Sequence, residues 1–380
     1  MSSAENAPFF IVGSERSGTT LLMVMLGAHS RLSVPEVTWY YPRFRAYLHT
    51  YGDLQAQGNF RTLVSEMALG LKTPCFGLPV NPRTWIDQLI GRAEAPTFAG
   101  AFRALLAYHA EAEGKPRWGE KTPHNLFYVR EILQDFPDAK FLNLVRDGRD
   151  VAVEQLRSAF GPRNAYTAAR IWKRTQEAAA AARKSVPASQ WLDVRYEDLA
   201  ADPGGILRGV TAFLGEAYEP ALLEYHRGTI AERRGRTRDH RPLGGPVSTE
   251  FTGHYRRYLS AYDQEVFAAV AGEALREAGY GDIAPPAAIS PADAALWDEH
   301  DQRIRAATLD APEGHLVYES YNDWLADQRE ERRRRGIWHG ETPANGPDWE
   351  AEFLSGQRAP LYWKRRFAIP RRYEGESLVL

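Results

Sequence analysis

The stretch FFIVGSERSGTTLL, residues 9–22, restricts this chain more than any other. Phe9–Val12 is a four-residue apolar run of aromatic and β-branched residues ended by Gly13, which predicts a buried strand. Leu21, Leu22, Met25 and Leu26 then recur at helical spacing, so a glycine-containing loop joins a strand to a helix. Backbone N–H groups in such a loop, followed by the open N–H groups of a helix start, cradle an anion. Gly18 permits close approach, Ser17, Thr19 and Thr20 supply hydroxyls, and Arg16 supplies a planar fork of donors. The pattern GxxxxGTT lacks the lysine that a triphosphate loop carries, and no acidic residue stands after a hydrophobic strand in a magnesium-binding arrangement. The loop therefore reads as built for a mononucleotide end and a metal-free transfer, against the plainer reading of a glycine turn.

The same arrangement recurs. In FPDAKFLNLVRDGRDVAVEQLRSAF, 136–160, an apolar run over Phe141–Val145 meets a charged turn and then a helical pattern through Val151, Val153 and Leu156. A third run, Trp191–Val194, leads into Tyr196. Strands alternating with helical stretches predict an α/β fold: a P-loop-like three-layer architecture with a mostly parallel central sheet flanked by helices. The C-terminal strand ends then gather on one edge, where ligands bind. Arg146 follows the second run directly and is placed at that edge. Asp147 and Asp150 either hold Arg149 or cap the next helix.

Composition removes other classes. A net charge of -2 gives no long-range field for nucleic acid or an anionic membrane, and positive patches must be local. One cysteine, Cys75, leaves no disulfide framework and no cysteine-built metal site. The start MSSAENAPFFIVG has neither a basic flank nor a long apolar run, no transmembrane stretch is visible, and the base-rate location is cytoplasmic.

Taken together, four ordered motifs resemble the sulfotransferases that use 3′-phosphoadenosine 5′-phosphosulfate (PAPS), in a bacterial branch whose nucleotide motifs are similar to those of tyrosylprotein sulfotransferases. SERSGTTLL resembles the 5′-phosphosulfate loop, FPDAKFLNLVRDGRDVAVE the 3′-phosphate segment, VRYEDL a third stretch near the adenosine, and WGEKTPHN the segment beside the transferred group. GHYRRYLSAYDQEVFAAVAGEALREAGY, 253–280, resembles the closing portion of the bacterial domain. The resemblance implies transfer of a sulfuryl group from PAPS to a hydroxyl or amine, without a metal, leaving adenosine 3′,5′-bisphosphate. It implies that Arg16, Ser17, Gly18, Thr19 and Thr20 hold the 5′ end and that Arg146 holds the 3′-phosphate, with Tyr196 near it and His254 and Tyr255 in the closing segment.

Two positions depart from the pattern. Glu154 stands where the family has a serine; Ser158, one turn on, offers a hydroxyl instead, or Glu154 pairs with Arg157 or another cation. His254 stands where relatives place Arg or Lys before an aromatic residue. Lys121 and Arg16 are the cations for the transferred group, Lys121 alternatively forming a salt bridge with Glu120 or Glu36. Two residues compete as base: Glu36, one position early of the tyrosylprotein carboxylate, and His124.

The acceptor is a small molecule, lipid or sugar, with a peptide also open. VTWYYPRFRAYLHTY and the tryptophans at 85, 118 and 172 line an acceptor pocket or pack the core. Residues 1–285 read as the transferase domain, with a lid or substrate loop near 227–250 in RGTIAERRGRTRDHRPLGGPVS. Residues 286–380 read as a C-terminal extension, packed on the main domain or joining two copies in a homodimer. The arginines of DQREERRRRGIW form a solvated helix face or an anion-binding or subunit surface. A P-loop kinase and a nucleotide-binding protein without sulfotransferase activity are the competing readings.

Overall fold

The computed structural model describes residues 7–70, 82–158, 161–236, 238–309 and 316–339. Cys75 and the basic, aromatic tail from 340 onward, with its ESLVL ending, lie outside them. The chain divides into two compact units, Met1–Val37 with His109–Asp301, and Thr38–Tyr108 with Gln302–Leu380.

The first unit carries the sheet. Its strands are β1 (Phe9–Gly13), β2 (Leu32–Ser33), β3 (Arg117–Lys121), β4 (Lys140–Val145) and β5 (Trp191–Arg195). They lie in the order β2-β3-β1-β4-β5, and all four pairings are parallel. Parallel strands need helical crossovers that cover both faces, and this demands strands apolar on both sides. β1 meets that demand: all five of its residues are buried, with Gly13 paired to Leu144 of β4. Helix Thr19–Gly27 buries seven of its nine residues, and six of them, Leu21–Leu26, share one core cluster with Leu142, Val194, Leu199 and Leu207. Each fully buried Leu or Val there contributes about 1.5–3 kcal/mol. A second cluster packs helix Ala165–Ser185 through Trp172 against Phe267 and Leu275 of helix Ala261–Glu277. Trp172 is thus core, and its indole N–H donates to the Arg146 carbonyl at 3.1 Å.

The chain runs outward from β1 to β2 on one side and from β4 to β5 on the other. The crevice beyond the C-terminal ends of β1 and β4 is therefore the topological switch point.

The second unit is helical. In its aromatic core Tyr41 meets Phe98 and Phe102 edge to face, at 5.1 and 5.4 Å between ring centroids. Helix Leu316–Arg334, from the part of the chain expected to form an extension, is grouped here. Its arginines are not a uniformly solvated face. Arg333 and Arg334 pair with Glu330 and Glu331, whereas Arg329 and Arg332 are buried. Arg332 meets Glu66 at 2.5 Å, donates to the Thr50 carbonyl at 2.9 Å and lies 4.2 Å over the Tyr51 ring.

Candidate active site

In a parallel sheet, residues that follow the strands share one edge, and the candidate residues do. Glu36 lies three residues after β2, Lys121 ends β3 with His124 just beyond, the 14–20 loop follows β1, Arg146 follows β4 and Tyr196 follows β5.

The loop after β1 is held by close contacts. Gly13 has φ +140, and a Cβ there would lie 2.5 Å from the Leu144 carbonyl oxygen. Gly18 has φ +99, and a Cβ would lie 2.6 Å from the Tyr196 ring. Arg16 also takes a left-handed conformation, φ 68, a strain of order 1 kcal/mol that sets its side chain apart from its neighbours. The Ser17 amide and hydroxyl both donate to the Ser14 carbonyl, at 3.3 and 2.7 Å, so this hydroxyl closes the turn where the sequence suggested an anion ligand.

Helix Thr19–Gly27 starts at Gly18 with no side-chain cap. Its first N–H groups are thus left without a side-chain acceptor. Helix Gly148–Arg157, at the end of β4, is different: Asp147 accepts from the Arg149 amide and caps it. Of the two helix starts, the second thus carries a side-chain cap and the first does not. The Lys121 ammonium donates to the Thr20 hydroxyl at 3.3 Å, bringing a cation from β3 to that same start. Glu120, one proposed partner of Lys121, accepts from Thr122 at 2.6 Å and from Asn125 at 2.5 Å.

Arg146 donates to the Arg16 carbonyl at 2.9 Å and the Phe251 carbonyl at 2.7 Å, and lies 4.4 Å over the Tyr196 ring. Its Nε is buried with no hydrogen-bond partner, a polar atom still awaiting an acceptor. Burial pushes the Tyr196 phenol up, keeping it a neutral donor, although Arg146 opposes the shift. Arg149 has a purely internal role: it is bidentate to Asp147 at 3.0 and 2.7 Å and donates to the carbonyls of Gly281 and Asp282. Asp150, pushed up by burial, accepts from the amides of Gly253 at 2.7 Å and Tyr255 at 2.8 Å. This fixes His254 and Tyr255, the latter under Arg149 at 3.9 Å with a buried phenol oxygen that has no partner.

Glu154 faces cations from three segments. It lies 3.5 Å from Arg16, 3.9 Å from Arg157 and 4.0 Å from His254, the last an ion pair only when the imidazole is protonated. Ser158 closes the same helix at its C-terminal end and is buried, its amide donating to the Gln155 carbonyl at 3.1 Å.

Of the two candidate bases, His124 lies 3.6 Å from Glu15. Glu36 is 2% exposed and gripped by two guanidiniums, Arg233 at 2.8 Å and Arg234 through its Nε. Both arginines belong to helix Thr229–Gly235, inside the stretch expected to be a lid.

The model of the Sulfotransferase family matches residues 8–220. The chain belongs to the sulfotransferase family. Among curated relatives it is 26% identical over 260 residues to the omega-hydroxy-beta-dihydromenaquinone-9 sulfotransferase Stf3 of Mycobacterium bovis, covering 57% of this chain and 66% of that protein. It is 25% identical over 240 residues to the protein-tyrosine sulfotransferase 2 of Gallus gallus, covering 61% of this chain and 57% of that one. An uncharacterized Aquifex aeolicus protein is 24% identical, with only 31% of its length spanned. The sulfotransferase domain of the Synechococcus PCC 7002 olefin synthase shares the fold, with a TM-score of 0.50 and 23% identity over 70% of this chain and 94% of that one. The chain spans less than two thirds of the length of each of these curated relatives. Among the described residues of this family member, no helix is long and apolar enough to cross a membrane.

Sequence reading missed Arg233, Arg234 and His240 as site residues. The arginine-rich stretch is visible in the sequence, but no spacing tells which arginine meets Glu36. His240 lies in the 3-10 turn Arg238–Gly244. Burial, then the charges of Arg16, Lys121 and Arg234, push its pKa down to about 3, against the opposing pull of Glu36. A neutral imidazole thus shares the surroundings of the two cations chosen for the transferred group.

Proposed function

We propose that this sulfotransferase moves a sulfuryl group in line from PAPS to a hydroxyl of its acceptor. The observation that carries this reading is the uncapped start of helix Thr19–Gly27, with the Lys121 ammonium 3.3 Å from the Thr20 hydroxyl. The first-turn N–H groups and Arg16 hold the 5′ end of the donor, while Lys121 stabilises charge on the departing 5′-phosphate. The unsatisfied Nε of Arg146 and the neutral phenol of Tyr196 fit the 3′-phosphate side of the crevice. Glu36 takes the acceptor proton as the new S–O bond forms and the bond to the 5′-phosphate breaks, releasing adenosine 3′,5′-bisphosphate. A sulfuryl group carries a single formal charge, and oriented cations suffice for it without a metal. The proposal includes a cytoplasmic setting and a small-molecule, lipid or sugar acceptor ahead of a peptide. The relatives' names already span a menaquinone and a protein tyrosine.

The test is calorimetric binding of adenosine 3′,5′-bisphosphate against adenosine 5′-monophosphate without magnesium. Binding that depends on the 3′-phosphate and is lost in Arg16→Ala supports the donor class; equal weak binding of both nucleotides removes PAPS as the donor. Glu36→Gln is expected to keep nucleotide binding and lose turnover, and full turnover would transfer the role of base to His124.

A further inference from the structure

The order of strands along the sheet edge divides the site into two ends. The donor side is built on β1, β4 and β5, through the 14–20 loop, Arg146 and Tyr196. Glu36 follows β2, the strand at the opposite end of the sheet, which among the described residues pairs with β3, the strand of Lys121. With the donor placed as above and its sulfuryl group between Arg16 and Lys121, the acceptor must approach over β3 and β2. Arg233 and Arg234 therefore converge on the β2 end of the edge, where they hold Glu36.

What they hold there is informative. Two adjacent guanidiniums grip both oxygens of one buried carboxylate, the geometry that suits arginine to carboxylate recognition. The grip is reachable: the Arg233 side chain is 43% exposed and that of Arg234 27%. The hairpin that carries them is firmly packed. Ala231 and Leu243 join the core cluster of helix Thr19–Gly27, and a Cβ on Gly235 would lie 2.8 Å from the Gly244 amide nitrogen. Exchange of one carboxylate for another thus needs only side-chain movement. With a guanidinium on each of its oxygens, Glu36 has to leave the arginines to reach an acceptor proton, so turnover requires that something take its place there.

We propose that Arg233 and Arg234 bind a carboxylate carried by the acceptor, so that the acceptor is a hydroxy acid and its acid group displaces Glu36 and releases it to act as base. This rests on the sulfuryl-transfer reading above. Glu36 is then the internal stand-in for the acceptor's carboxylate, and recognition is coupled to activation: an alcohol without the acid leaves the base clamped.

The experiment compares 3-hydroxydecanoate with its methyl ester on the full chain. Turnover is read as adenosine 3′,5′-bisphosphate release from PAPS, and binding as calorimetry on protein loaded with that product. The acid is expected to exceed the ester at least tenfold in kcat/KM and to bind the loaded protein more tightly. In Arg233→Gln/Arg234→Gln the preference should fall to within about twofold. Where that variant fails to fold, the Arg233→Lys/Arg234→Lys pair, which keeps charge and loses the fork, should lower the acid-to-ester ratio at least threefold. An ester that equals the acid, loaded protein that binds neither, or a preference that survives the substitutions would overturn the proposal. Failure of adenosine 3′,5′-bisphosphate to bind the unmodified protein would instead overturn the donor reading beneath it.

Discussion

The Glu154 carboxylate lies 3.5 Å from the Arg16 guanidinium, across the place where the donor's phosphates are expected. The same carboxylate is within 4.0 Å of Arg157 and His254. It thus occupies cations that a phosphate would otherwise recruit, and it repels the phosphate directly.

Glu154→Ser should therefore tighten adenosine 3′,5′-bisphosphate binding by about tenfold, or about 1.4 kcal/mol. Calorimetry measures this, and an unchanged Kd would mean that Glu154 turns away from the nucleotide at no cost.

Gly18→Ala should weaken nucleotide binding severely and cost about 1–3 kcal/mol of stability. Its new methyl would press on the Tyr196 ring 2.6 Å away while the backbone stays at φ +99. In urea denaturation, adding Tyr196→Ala should recover only part of the loss, because the ring clash goes and the backbone strain remains.

His240 gives a pH dependence of definite sign. Its proton binds near pH 6.5 in the unfolded chain but only near 3 in the folded one. Between those values the unfolded state holds more protons, so stability is full above about pH 6.5 and is lost as pH falls toward 3. At pH 5 this single group removes about 2 kcal/mol. Urea denaturation at pH 7 and pH 5 should show that difference shrinking by about this amount in His240→Asn.

In the helical unit, Glu66→Ala should destabilise by about 3–5 kcal/mol, because it strands the buried Arg332 guanidinium without its carboxylate. Glu66 also accepts from the Tyr51 hydroxyl, and burial, with Glu66 adding to it, pushes that phenol up. Thermal unfolding tests this, with Glu330→Ala on the same helix as the exposed comparison, expected to leave the unfolding temperature nearly unchanged.

The three strands singled out in the sequence are β1, β4 and β5, each displaced by at most one residue at an end. They were legible because an apolar run bounded by glycine or charge is a local signal, and because parallel strands buried on both faces leave no polar alternation to confuse it. The loop after β1 was legible for the same reason: Gly13 and Gly18 stand where only glycine tolerates the backbone and its close neighbours. Placement of Arg146 and Tyr196 on one edge followed from strand ends alone, whereas β3, which ends in Lys121, was not among the runs read from the sequence.

Contacts between side chains far apart in the chain were decided by folding. Nothing local sets Arg233 and Arg234 on Glu36, about 200 residues away, or gives Arg332 to Glu66 across a comparable separation. The sequence marked 227–250 as a lid and 327–338 as an arginine-rich face, but charge composition carries no information about partners. The grouping of helix Leu316–Arg334 with residues 38–108 is likewise a matter of long-range packing. Sequence by itself determined the α/β class, the strands β1, β4 and β5 and the glycine-containing loop after β1, because these carry signals between neighbours a few residues apart. Tertiary structure alone decided which carboxylates neutralise which cations, because ion pairing depends on distance in space and on burial.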